Sequence, residues 1–569
     1  MCGFSFSISK KEVSLQQIKK MNLKISHRGP DKENFITYKK LKNLRNHSLK
    51  FCAGFRRLKI IDLSNKANQP MFYNNRYLIV FNGEIYNYLE LKEKLLQNNY
   101  KFKSKSDTEV ILAAYDLWGK SCFNLFNGMW SMIIYDLKKN KLVASRDRYG
   151  VKPFYYIKSQ NIVYFASEIK QLLILNRENK VNPKSLSSYL VHDNSYFGDQ
   201  TFIKNIFQIK PGNYLEIEKN NFNLKQKKWY KFEKKKIGKN QIKNKIKNIL
   251  SDSVKLRLRS DVNIGISLSG GIDSSVLASL VANLDKKYIK KIYTFSTRTF
   301  DHNDEYEYVK EFSKRYKFKN IPIKLEFKNF KKDFIKLVKS HDNPIPNLSV
   351  FSEWEVFKKL KKNNIKVNLD GHGADEQLCG YENYYSLYLI ELMKSFQILK
   401  IINFFIDILF SNFKNKFHFL KKLFINFLPE NILKKIKNNF NHELNKKWIN
   451  LNFYSKENIK FNDNLVLNEN YKQFFESSLP KQLNWSDINS MSHSVETRSP
   501  FLDYNFVENI LPSKMENKIK GITSKYILRE AFKGIIPTKI YKRNFKVGFQ
   551  APGEKWLNEN KPYIKNLFN

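Results

Sequence analysis

Cysteine is scarce. The 569 residues hold four, Cys2, Cys52, Cys122 and Cys379, and no two stand in a C-x-x-C spacing. That excludes a disulfide framework and a thiolate zinc site, and suits a reducing, cytoplasmic setting. Long apolar runs are missing too. The most apolar stretch, FQILKIINFFIDILF at 396–410, is interrupted by Lys400 and Asp407. It falls short of the roughly 20 residues that a membrane span needs, so the expectation is no membrane span and a buried or interfacial helix. No basic region followed by an apolar run opens the chain, so no signal peptide is expected. Acidic residues are outnumbered: 53 Asp and Glu stand against 101 Lys and Arg, a formal charge of +48. Such a balance invites a nucleic-acid reading. The cations, however, are mostly lysine, spread along the whole chain among many Asn, Ile and Phe, as a codon bias toward A and T produces. No RNP, zinc-finger or bZIP pattern accompanies them, so no specific nucleic-acid partner is expected. What is present is 42% hydrophobic and 15% aromatic residues, enough for buried cores, in a chain long enough for two or more domains.

Two regions with different grammar follow one another. Residues 1–210 read as short β-rich runs (RYLIVFNGEIYN, MWSMIIYD, KLVASRD, PFYYIK, NIVYFAS) separated by turn residues, with a helix predicted over 107–118. A lysine-rich linking stretch, QKKWYKFEKKKIGKN, occupies 226–240. From about 241 a helix leads to the apolar run VNIGISL, the loop SGGIDSS, the helix VLASLVANL and the strand KIYTFST. Strand–loop–helix–strand is the pattern of a parallel, doubly wound sheet. Residues 381–480 are rich in Lys, Phe and Asn and read as helical, without recognisable chemistry.

Two stretches carry chemistry of their own. In MCGF, Cys2 becomes the N-terminus once Met1 is removed. A thiol and a free α-amine on adjacent atoms make a nucleophile with its own base. In SLSGGIDSS (267–275), Gly270 and Gly271 let backbone N–H groups approach an anion, the following helix adds its positive end, and Ser269, Ser274 and Ser275 offer hydroxyls. Asp273 suits a phosphate cradle only if a cation bridges it, which implies Mg²⁺. No Gly-Lys-Ser/Thr follows, so this is not a Walker A loop.

SGGIDSS resembles the pyrophosphate loop of the ATP-pyrophosphatase class, which activates a carboxylate as an adenylate and releases pyrophosphate. With GADE (373–376), SVETRSPFLD (494–503), SKYILREAF (524–532) and KVGF (546–549), the second half resembles the asparagine synthetase family along nearly its whole length. The resemblance implies ATP as a substrate. It places adenine and ribose near Leu268, Thr297, Asp370 and Gly371, makes Asp375 the second Mg²⁺ carboxylate beside Asp273, and sets Lys546 against the leaving pyrophosphate. Glu496 and Arg498 read equally as substrate ligands or as a buried ion pair.

The first half resembles the N-terminal-nucleophile glutaminases of class II amidotransferases. The strings are MCGF, SHRGPD (26–31), RRLKIID (56–62), NGEIYN (82–87) and SDTE (106–109). Alone, NGE is a hairpin turn and Asp107 an N-cap; in this order behind Cys2 they form a set. By resemblance Cys2 attacks the glutamine amide. Asn82 and the Gly83 N–H stabilise the oxyanion, Arg57 forks the carboxylate, and Glu84 and Asp107 hold the α-ammonium. The backbone of Leu58, Lys59, Ile60 and Ile61 lines the pocket, and His27 and Arg28 are structural.

The fold implied is two domains, α/β and α+β. A glutaminase αββα sandwich of antiparallel sheets occupies 1–212, followed by a linker at 213–240. A doubly wound parallel-sheet synthetase domain with a helical C-terminal part spans 241–569, with a helical insertion at about 381–480. A homodimer through the glutaminase half is implied by resemblance only. The reaction implied joins glutamine, aspartate and ATP to give asparagine, glutamate, AMP and pyrophosphate. One departure stands out: where the family reads S-G-E-G-A-D-E, this chain reads DGHGADE (370–376). His372 reads either as a base, with an ordinary pKa of about 6.5, or as a space-filling residue. An acceptor other than aspartate, such as a sugar uronic acid in polysaccharide assembly, therefore stays open.

Overall fold

In the strand Gly3–Ser9, Phe4, Phe6 and Ile8 alternate with Ser5, Ser7 and Ser9, yet all are buried. A strand side chain points to alternate faces, so both faces of this strand must be covered. The computed structural model shows how. It describes residues 2–41, 49–159, 161–176, 178–192, 195–218, 222, 224–235, 238, 241–284, 292–299, 304–410, 416, 420, 423, 462–543 and 551–566.

Gly3–Ser9 lies inside a six-stranded antiparallel sheet, in the order 207–208, 155–159, 162–166, 3–9, 50–57 and 32–37. A second antiparallel sheet runs 227–228, 213–218, 141–146, 128–136, 77–85 and 71–73. Phe4, Phe6, Phe51 and Phe55 of the first meet Val80, Ile133, Tyr135 and Leu215 of the second in one apolar layer. The helix Leu15–Leu23 covers the outer face of the first sheet through Ile18 and Met21. Tyr88–Gln97 and Asp107–Trp118 cover the second. This is the expected αββα sandwich. The boundary expected at 212 is corrected: Asn213–Glu218 pairs with Lys141–Arg146 and then with Lys227–Lys228. The strands Asn213–Glu218 and Lys227–Lys228 close the sandwich edge, so the linking segment starts after them.

The second half is built on five parallel strands in the order 320–324, 292–298, 264–267, 367–369 and 496–498. Helices cover both faces: Ile242–Arg257, Ile272–Ala282 and Tyr526–Ala531 on one, Ser349–Lys362 on the other. The chain builds outward from 264–267 in one direction, then returns to build in the other. The switch point thus falls between 264–267 and 367–369, where doubly wound sheets open a crevice at the strand C-termini. Of the expected insertion at 381–480, the helices Asn383–Lys394, Ile398–Phe410 and Leu465–Phe475 pack together through Tyr388, Phe404 and Val466. No helix among the described residues is long and apolar enough to cross a membrane.

Candidate functional site

Cys2 stands at the entrance of the strand Gly3–Ser9. Its N–H donates to Asn82 Oδ1 at 3.3 Å, and its Sγ lies 3.8 Å from the Leu58 carbonyl. Buried Arg28 donates from Nε to the Cys2 carbonyl at 3.0 Å and pairs with Glu168 and Asp487, both at 2.8 Å, a structural role as expected. Burial pushes the Cys2 thiol up, against the opposing pull of the Leu58 contact and Arg57. A thiol held neutral needs a base to become a nucleophile.

Asn82 and Gly83 sit in the strand Tyr77–Ile85, opposite Ser131 and Trp130. Asn82 Nδ2 donates to Ser131 Oγ at 3.4 Å. A Cβ on Gly83 would lie 2.0 Å from the Met129 carbonyl oxygen, so only glycine lets these backbones approach. Arg57, at the end of Lys50–Arg57, donates to the carbonyls of Ser64 (2.7 Å) and Asp62 and to Asn68 Oδ1 (2.8 Å). It thereby shapes the loop that faces the thiol. Leu58, Ile60 and Ile61 bury their side chains among those of Ile242, Ile246 and Val254. The synthetase half thus anchors this pocket wall, while the Lys59 N–H is held by Asp31 at 2.8 Å.

Two buried acids, Asp107 and Glu84, lie on neighbouring elements. Asp107 accepts from the Ile85 N–H at 2.9 Å, and burial pushes it up to about 6. Burial first, then Glu496 and Asp107, push Glu84 well above the carboxylate range. Glu84 Oε2 is buried with no hydrogen-bond partner, and Oε1 lies 3.6 Å from Arg498. Such an oxygen suits an incoming ammonium.

The strand Glu496–Arg498 joins the two halves by alternation. Fully buried Arg498 bonds Glu496 at 2.6 Å, the Arg257 and Arg259 carbonyls at 2.7 Å, and faces Glu84. Glu496 and Arg498 thus form a buried ion pair. Between them Thr497 points the other way, donating to Asp370 Oδ2, and Ser499 donates to Asp370 Oδ1 at 2.5 Å.

A cavity of about 370 Å³ fills the switch-point crevice. Ser269, Gly271, Asp273 and Ser274 form one wall; Asp370, Gly371, His372 and Asp375 form the facing one. The Ser269 N–H and hydroxyl meet Ser274 Oγ at 3.2 and 3.1 Å, which ties the loop into a cradle. Leu268, Gly270, Ser275 and Thr297 do not line this cavity: Leu268 and Ser275 are fully buried beneath the loop, and Gly270 takes φ +77° against Tyr308. Asp370, expected near the ribose, is engaged by Thr497, Ser499 and His372 and organises its own loop. Lys546 lies outside the described residues.

Asp273 and Asp375 meet on one cation, the Lys525 ammonium, 2.5 Å from Asp375. Lys525 holds a left-handed φ of +55°, a strained position for a lysine. SKYILREAF contains it, but no spacing pointed to it. Arg543 and Arg529 add cations to the same cavity. No group of three or more His, Cys, Asp or Glu among the described residues could hold a metal ion. Two close carboxylates nevertheless fit Mg²⁺, which keeps waters and takes its other ligands from phosphates.

His372 sits on the cavity wall between two carboxylates. Its Nδ1 lies 2.9 Å from Asp370 Oδ2, and its Nε2 3.7 Å from Glu353 Oε1. Burial pulls its pKa down, but Asp370, Glu353 and Glu376 outweigh that and raise it to about 9. These carboxylates favour the imidazolium form of the ring.

Residues 1–230 match the glutamine amidotransferase domain model, and residues 245–569 match asparagine synthase. A glutamine-hydrolyzing asparagine synthetase of Bacillus subtilis is 29% identical, covering 100% of this chain and 90% of that protein. A putative asparagine synthetase of Methanocaldococcus jannaschii is 33% identical over 69% of this chain and 78% of its own length. An amidase of Gibberella zeae is 26% identical over 94% of this chain and 84% of its own. With an amidotransferase sandwich in front and a doubly wound ATP-pyrophosphatase sheet behind, this chain belongs to the asparagine synthase family.

Proposed function

We propose that this enzyme makes asparagine from aspartate, using Cys2 to draw nitrogen from glutamine. The Cys2 thiol attacks the glutamine side-chain amide while its α-amine, freed by loss of Met1, takes the proton and returns it to departing ammonia. Asn82 and the Gly83 N–H carry the oxyanion, and water hydrolyses the thioester to glutamate. Arg57 receives the glutamine carboxylate, Glu84 and Asp107 its ammonium, against the backbone of residues 58–61. In the second site the aspartate β-carboxylate attacks the α-phosphorus of ATP and pyrophosphate leaves. Ammonia then displaces AMP from the aspartyl-adenylate. The Ser269–Ser275 loop, Lys525 and Lys546 hold the phosphates. Asp273 and Asp375 would hold a Mg²⁺ ion, which would supply further charge neutralisation there.

The observation that carries the reading is the alternation on Glu496–Arg498, with Arg498 facing the glutaminase acid Glu84 and Thr497 holding Asp370 of the ATP cavity. The test is pyrophosphate release with a panel of carboxylate acceptors, under glutamine and then under ammonia. Aspartate should stimulate release with either, and Cys2→Ala should abolish only the glutamine-driven reaction. Stimulation by a sugar uronic acid and not by aspartate would overturn it.

A further inference from the structure

The helix Ser349–Lys362 spends Val350, Phe351, Trp354, Val356, Phe357 and Leu360 on apolar packing. Glu353 alone among its acids reaches the wall of the ATP cavity. It is held there on purpose-built support: Asn489 donates to Glu353 Oε2 at 2.8 Å and to the Val350 carbonyl at 3.0 Å, and the His341 ring meets Asn489 Oδ1 at 2.9 Å. The other oxygen, Oε1, faces His372 Nε2 across 3.7 Å, too far for a hydrogen bond. The opposite nitrogen of His372, Nδ1, lies 2.9 Å from Asp370 Oδ2, an ion-pair contact that fixes the ring from behind. Both side chains keep part of their surface open, 15% and 17%. The Glu353 carboxyl and the His372 ring therefore face the same space, each supported from behind and paired with one another only across 3.7 Å.

We infer that Glu353 and His372 form the acceptor's selection site, Glu353 taking an ammonium and His372 a carboxylate, so that the enzyme accepts an α-amino acid and rejects a carboxylate acceptor that lacks the amine. This rests on the acceptor-activating reading above and names the groups that decide its substrate class. An acceptor bearing only negative charge would leave Glu353 facing a like charge in a poorly solvated cavity. A zwitterion satisfies both groups at once. Its second carboxylate then points across the cavity to the Ser269–Asp273 wall, where adenylation takes place. Sites built to bond a substrate amine reject the analogue without it strongly, because their own buried groups are left unpaired.

The test compares aspartate with succinate, the same dicarboxylate without the amine, in ammonia-driven pyrophosphate release by the full-length enzyme. Wild type should favour aspartate by roughly 10³-fold or more in kcat/KM. Glu353→Gln should raise the KM for aspartate by at least about tenfold and shrink the aspartate-to-succinate ratio by a similar factor. Glu353→Asp should recover part of both, and glutaminase activity should stay unchanged. A merely structural Glu353 would depress both acceptors alike. An unchanged ratio in Glu353→Gln, in an enzyme that still uses aspartate, overturns this inference alone. Absence of any aspartate stimulation in wild type overturns the acceptor reading beneath it as well.

Discussion

The two sites are held together by different forces. Around Cys2 the fixed points are hydrogen bonds to the backbone: Asn82 on the Cys2 N–H, the Arg28 guanidinium on the Cys2 carbonyl, the Arg57 guanidinium on loop carbonyls, and a glycine where two strands touch. In the ATP cavity they are charges in alternation, Asp273–Lys525–Asp375 and Asp370–His372–Glu353. The difference follows from the substrates. Hydrolysis of a neutral amide develops one oxyanion, which needs donors already in place. A triphosphate brings several charges, so a site for it keeps cations that exchange one set of anionic partners for another.

Removing a charge from the second site should break it without disturbing the first. Asp273→Ala is expected to lower pyrophosphate release by roughly 10²–10³-fold with glutaminase activity intact; equal loss of both activities would show the sites to be less separate than their chemistry. Next comes the strand between them. Arg498→Met leaves buried Glu84 and Glu496 without their cation and should cost about 3–5 kcal/mol in denaturant unfolding. Thr497→Val, on the other face, removes one hydroxyl donor to Asp370 and should cost about 1.5–3 kcal/mol, with its kinetic effect confined to pyrophosphate release.

The smallest effects are in pH dependence. Asp107 and His372 both have folded pKa values above their ordinary ones, at about 6 and about 9. Each therefore stabilises the fold fully below its unfolded pKa and loses that contribution as pH rises through the folded value. Asp107→Asn should flatten the stability curve between about pH 4 and 6, and His372→Gln between about pH 6.5 and 9. Stability measured against pH for the two variants separates these windows; the same window in both would contradict the distinct environments.

SGGIDSS was legible because its function is local: strand, glycine turn and helix end lie within nine residues. Lys525 was not, since it meets Asp273 from 252 residues away. The edge strands Asn213–Glu218 and Lys227–Lys228 were hidden because an edge strand needs no apolar outer face. His372 read either as a base or as a space-filling residue, because the sequence does not show that Asp370 and Glu353 flank its ring.

The sequence by itself determined the two chemistries, since the thiol at position 2 and the glycine-rich loop carry reactive groups whose competence depends on immediate neighbours. Tertiary structure decided how they are joined and what they accept. Burial and neighbouring charge, which shift Glu84 and His372, arise only when distant segments pack.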